Sequence, residues 1–167
     1  MVFQDIPYYE ALSFYNEAVS WGDDKVSFHY YYKVLEYFFL ICRQDSFKQY
    51  IDEYNAKPDM SQFIRSVTEV YSQKEDAQLE NLLDSIQLEI KDLIVDAHSK
   101  GIIINDDVEE FSKELYLHRN SIIHGKSDQR FKLNVPTVVC DSNDVFWRNA
   151  VEKIAEVLIK KYCLSPQ

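Results

Sequence analysis

Glycine is scarce in this 167-residue chain, occurring only at Gly22, Gly101 and Gly125. Neither G-x-G-x-x-G nor G-x-x-x-x-G-K-[ST] can therefore be written, which excludes a Rossmann turn and a P-loop. Cysteine is as sparse. Cys42, Cys140 and Cys163 are far apart and odd in number, so a reducing compartment is expected and a disulfide framework is not. Long apolar runs are missing too. The longest, YFFLIC at 37–42, falls well short of the ~20 residues that a membrane helix needs. The start MVFQDIPYYE has no basic segment followed by an apolar stretch, so no signal peptide is expected. A soluble, cytoplasmic protein without a membrane partner is predicted. The net charge of −10 argues against a generic nucleic-acid or membrane-surface binder, which needs a broad basic face. A small basic site on an acidic body remains compatible with it.

What the chain does have is apolar residues at helical spacing. It is 46% hydrophobic and 14% aromatic, enough to bury a core. Over 25–43, Phe28, Tyr31, Tyr32, Leu35, Phe38, Phe39 and Cys42 form the stripe of one amphipathic helix. Over 75–101, Leu79, Leu82, Leu83, Ile86, Ile90, Leu93, Ile94 and Ala97 repeat the pattern, with Gly101 as the stop. A third helix is predicted from a cap at Asp106 or Asp107 through Val108, Phe111, Leu115 and Ile122 to Gly125. A fourth carries Phe146, Ala150, Val151, Ile154, Val157 and Leu158, capped by Asn143 or Asp144. Shorter helices are expected at about 8–20 and at 60–73, the latter opened by Ser61. Residues 126–142 have no helical period and a β-branched run with a proline. They read as one extended loop after the third helix. No repeat and no Pro/Gly linker divides the chain, so residues 1–167 are expected to form a single all-α bundle.

Charge is distributed unevenly on this pattern. Between Lys113 and Lys132 the chain carries Lys113, Arg119, Lys126, Arg130 and Lys132 against Glu114 and Asp128, a local +3. This is either a solvated stretch or an anion-binding patch. On a helical wheel of ~100° per residue, Arg119 falls about 40° from Leu115, on the apolar arc. A guanidinium there must snorkel or meet an anion. Asn120 and His124 are four apart and share a face. Glu36 is the one acid in an aromatic helix, YYYKVLEYFFL. It pairs at the surface with Lys33 or Arg43, or turns inward, where Arg119 and His124 are its partners. An arginine and a histidine suit RNA cleavage, since the imidazole moves protons and the guanidinium stabilises charge on the phosphorus oxygens. No metal-ligand spacing links the histidines and cysteines, and this chemistry needs no cofactor. Ideal helix separates Arg119 from His124 by ~7.5 Å and ~140°, so the two meet at one phosphate by a long reach, a distorted helix or a second subunit.

The run Arg119-Asn120-Ser121-Ile122-Ile123-His124 followed by Gly125 resembles the R-x4–6-H motif of HEPN domains, in its R-N-x-x-x-H-G form. The helix YYYKVLEYFF is similar to the Y-x-x-L-E helix of the ApeA-like branch, which makes Glu36 the branch's acidic residue. The resemblance implies a HEPN-like helical bundle and a metal-independent endoribonuclease that cuts tRNA or other cellular RNA. It implies a homodimer with the motif at the subunit contact, and service in toxin–antitoxin or antiphage defence, beside an antitoxin or sensor partner. Carried over by residue, Arg119 stabilises the scissile phosphate, His124 is the acid/base and Asn120 positions the phosphate or the adjoining loop. Lys126, Arg130 and Lys132 are the expected RNA-binding cations. In HEPN toxins paired with a nucleotidyltransferase, a tyrosine that is adenylylated stands two residues after the motif histidine. Lys126 occupies that position, a departure from that mode of control. Two other expectations compete: a non-catalytic HEPN-like module binding nucleic acid, nucleotide or protein, and an interaction subunit whose motif residues are tied up in core salt bridges.

Overall fold

The computed structural model describes residues 8–124 and 142–164, with the side chains of Ile123, His124 and Ser142 outside the description. The fold is all-α. Helices α1 (Tyr9–Ser20) and α2 (Asp24–Phe38) are followed by a single 3-10 turn at Ile41–Arg43. Then come α3 (Gln44–Ala56), α4 (Met60–Tyr71), α5 (Glu75–Asp84), α6 (Lys91–Ser99), α7 (Val108–His124) and α8 (Ser142–Ile159), which ends in a π turn at Lys160–Leu164.

Helix α2 is the centre. Asp23 caps it by accepting hydrogen bonds from the backbone N–H groups of Lys25 and Val26 at 2.9 and 3.0 Å. Its buried face carries Phe28, Tyr31, Tyr32, Val34, Leu35 and Phe38, and α1, α5 and α8 pack around it. Ser27, itself buried, donates to the carbonyls of Ala18 and Trp21 at 2.9 and 3.0 Å, which ties the α1–α2 turn shut. Two buried tyrosines reach out to acids on neighbouring helices. Tyr31 donates to Glu152 Oε1 on α8 at 2.8 Å, and Tyr32 to Glu75 Oε1 on α5 at 3.2 Å. Helix α7 packs on α5, and its Phe111 and Leu115 are fully buried.

Two continuous helices of the sequence reading are broken here. The helix expected over 25–43 stops at Phe38, and the one expected over 75–101 is split by turns between Asp84 and Lys91. In that split Ile86 and Glu89 donate their N–H groups three residues back, to Leu83 and Ile86. Helix α3 was not anticipated. Helix α4 is capped by Asp59, which accepts from Gln62 N at 3.0 Å, and not by Ser61. Helix α8 begins at Ser142, so Asn143 and Asp144 lie in its first turn and do not cap it. The expected cap at Asp107 is present, its Oδ1 accepting from Glu110 N at 2.7 Å. Gly101 ends α6 in the left-handed conformation, φ +68°. The extended loop expected at 126–142 lies outside the described residues up to Ser142.

Helices α3 and α4 form a hairpin at the edge of the bundle. Phe47 meets Tyr71 at 5.8 Å and Tyr54 meets Phe63 at 5.5 Å between ring centres. Yet α3 holds no buried residue and α4 only Val70, while Ile51, Met60, Ile64 and Tyr71 stay about half exposed. Among the described residues no helix is long and apolar enough to cross a membrane.

Candidate functional site

Burying one side of α2 leaves His29, Lys33 and Glu36 as a half-buried polar margin. Their spacing of four and three residues keeps them on one line along the helix. Helix α7 faces this margin. Phe111, Leu115 and Arg119 follow at steps of four, so the stripe that seats two apolar residues in the core carries a guanidinium next. Its side chain is only 12% exposed.

A charge so placed is costly unless it is paired. Arg119 Nη2 lies 3.1 Å from Glu36 Oε1 and 3.3 Å from Glu75 Oε1, and Nη1 donates to Asn120 Oδ1 at 3.0 Å. Its Cζ sits 5.5 Å from the centre of the Tyr32 ring, within cation–π range. Its buried Nε has no hydrogen-bond partner among the described residues. Glu36 divides its two oxygens: Oε1 serves Arg119, and Oε2 takes the ammonium of Lys33. The surface pairing with Lys33 and the inward pairing with Arg119 therefore coexist. Glu75 is the more exposed carboxylate, at 30% against 22%, and it also accepts from Tyr32. Burial, followed by the Glu75 charge, pushes the Tyr32 phenol well above its usual range. It is thus a fixed hydrogen-bond donor and not a proton source at neutral pH. The four charges of Lys33, Arg119, Glu36 and Glu75 cancel.

Of the sequence-derived candidates, Glu36, Arg119 and Asn120 are brought together. His124 is the last residue of α7, one turn beyond Asn120, with its side chain outside the described residues. Lys126, Arg130 and Lys132 also lie outside them. Glu75 was not foreseen, and its only sequence signal is an acid in the first turn of a helix. His118, the neighbour of Arg119, is taken up by packing. Its ring stands edge-on to Phe28 at 5.1 Å and stacks on Trp147 at 5.9 Å.

Among the described residues no group of three acids, histidines or cysteines is arranged to hold a metal ion. Two grooves lie apart from the Arg119 cluster, one of about 370 Å³ in the α3–α4 hairpin and one of about 550 Å³ between α6 and α8. No family model matches the chain, and no curated protein and no solved structure shows significant similarity to it.

Proposed function

We propose that the chain is a metal-independent endoribonuclease of the HEPN type, acting on cellular RNA in a toxin–antitoxin or antiphage setting. One observation carries the reading. Arg119 of the R-N-x-x-x-H-G run meets Glu36 of the aromatic helix at 3.1 Å, across 83 positions of sequence. These are the two elements on which the resemblance rests, and they lie on different helices.

The chemistry follows from the arrangement. Glu36, pinned by Lys33, holds the guanidinium in one orientation. Glu75 is the carboxylate that a phosphate oxygen replaces, because it is the more solvent-accessible partner and a phosphodiester carries the same single charge. Arg119 then stabilises charge on the pentacovalent phosphorus, Asn120 orients the guanidinium through Nη1, and His124 moves a proton. Lys126, Arg130 and Lys132 hold the RNA backbone on an otherwise acidic body, and a homodimer places two such sites side by side. The test is cleavage of total RNA or tRNA in EDTA. His124→Ala and Arg119→Ala are each expected to lower the rate by about 10²–10⁴. Cleavage by either variant at the wild-type rate removes the mechanism.

The cancelled charge around Arg119 favours a second reading, a non-catalytic module that binds RNA, nucleotide or protein. It requires salt-sensitive binding of mixed oligonucleotides without products, weakened by Lys126, Arg130 and Lys132 variants more than by His124→Ala.

A further inference from the structure

Two tyrosines that follow one another on α2 each carry an arginine. Tyr31 lies under Arg148 of α8 and Tyr32 under Arg119 of α7, both with 5.5 Å between guanidinium carbon and ring centre. Each arginine also donates through Nη1 to the asparagine that follows it, Asn149 or Asn120, at 3.0 Å. In both places the tyrosine and its arginine share a glutamate, and there the likeness ends. At Glu152, Tyr31 donates to Oε1 at 2.8 Å while Arg148 donates to Oε2 from four residues back on the same helix. Each oxygen has its own donor, which makes a brace. At Glu75, Tyr32 Oη and Arg119 Nη2 converge on a single atom, Oε1, at 3.2 and 3.3 Å. Helices α2 and α7 thus aim their donors at one point, and α5 fills it with a negatively charged oxygen.

Two donors fixed on different helices and directed at one oxygen are what an oxyanion of a transition state requires. We infer that Tyr32 is a substrate-contacting residue: when Glu75 gives way, the Tyr32 hydroxyl and Arg119 Nη2 bind the same non-bridging oxygen of the scissile phosphate. The inference rests on the nuclease reading and adds a second donor to it.

The surroundings suit that role. Tyr32 is fully buried with its ring against the guanidinium, so its hydroxyl is in place before substrate arrives and little reorganisation is needed. Burial, and then the Glu75 charge, hold the phenol above its usual range. The hydroxyl therefore keeps its proton and gives a hydrogen bond only. Glu75 is 30% exposed and Arg119 12%, so the carboxylate is the partner that can turn toward solvent. Turning out with nothing in its place would leave two inward donors without this acceptor, which couples its departure to the arrival of a phosphate oxygen.

The experiment compares full-length wild type, Tyr32→Phe and Tyr31→Phe on RNA oligonucleotides in EDTA. Each substitution keeps the ring and removes one hydroxyl. Tyr32→Phe is expected to lower kcat by about 10²–10³, and Tyr31→Phe to cleave at the wild-type rate. A second substrate set replaces one non-bridging oxygen at the mapped cleavage site by sulfur, a poor hydrogen-bond acceptor, as separated diastereomers. One isomer should slow the wild type and slow Tyr32→Phe no further. A Tyr32→Phe variant that cleaves like wild type, an equal loss in Tyr31→Phe, or sulfur effects identical in variant and wild type overturns the assignment while the nuclease reading stands. A third arm needs no turnover and titrates 2′-O-methyl oligonucleotides, which cannot be cleaved. Tyr32→Phe should weaken their binding by about tenfold, and Glu75→Gln should strengthen it by about two- to fivefold. A wild type that cleaves nothing removes the nuclease reading. The titration then decides alone, and absent binding or an affinity unchanged in Tyr32→Phe overturns the phosphate site as well.

Discussion

Replacing Arg119 by methionine keeps most of the side-chain volume and removes the charge. What remains is a pair of carboxylates, Glu36 and Glu75, that had shared one Nη2 atom at 3.1 and 3.3 Å. Stripping one partner from a fully buried ion pair costs ~3–5 kcal/mol, whereas an exposed pair is worth ~0–1 kcal/mol. Arg119 is 12% exposed and its partners 22% and 30%, so the site lies between these limits. Lys33 still neutralises Glu36, and Tyr32 still donates to Glu75, which softens the loss. The expected cost is about 2 kcal/mol, a fall in Tm of about 4–8 °C for a chain of this size. Urea unfolding followed by circular dichroism measures it, with an unchanged m value showing that only stability moved. Adding Glu36→Gln and Glu75→Gln to Arg119→Met removes the stranded charges and should recover at least half of the loss. A double-mutant cycle between Arg119→Met and Glu36→Gln should give a coupling of about 1–2 kcal/mol. A loss below about 0.5 kcal/mol, or strictly additive variants, refutes the reasoning that Arg119 and Glu36 stabilise the fold as a pair.

Glu114 on α7 is half-buried, and its carboxyl is raised above the usual 4.5 by burial and then by Glu110, against Lys113. The folded state thus binds this proton more tightly than the unfolded chain, and stability falls as pH rises through the raised value. Glu114→Gln should be more stable than wild type at neutral pH, with the gain vanishing below the ordinary carboxylate value; urea midpoints at two pH values check it. Asp107→Ala removes the acceptor 2.7 Å from Glu110 N and should cost about 1 kcal/mol by the same assay. Gly101→Ala meets no neighbouring atom within 4 Å but must hold φ at +68°, so it should cost about 1–2 kcal/mol from backbone strain alone. An unchanged Tm would contradict that.

Local signals were legible in the sequence, and those needing the third dimension were not. The Asp107 cap and the Gly101 stop depend on neighbours within a few residues, and both are where spacing placed them. The two long helices were broken because apolar spacing reports which side chains are buried, not whether the backbone ladder continues. Phe39 keeps the stripe of α2 although its N–H already turns back to Glu36 O at 3.3 Å. Ile86 and Ile90 stay buried through turns that hold neither glycine nor proline. Helix α3 carries Phe47, Tyr50, Ile51 and Tyr54 at helical spacing, so its signal is present in the sequence. At the site, an arginine on an apolar arc and an acid among aromatics were anomalies, and anomalies are readable. Glu75 was not one. An acid at the start of a helix is ordinary, and only the approach of α5 to α2 and α7 gives it a partner.

The peripheral α3–α4 hairpin bears on how the molecule breathes. Nearly all of its side chains are at least partly wet, so opening it exposes little new apolar surface, and the free energy of that opening is far below that of the whole fold. Its amides should exchange with deuterium long before those of α2 and α8, and proteases should nick it while the bundle stays intact. Because α5 begins just after it, each such opening loosens the chain next to Glu75 first.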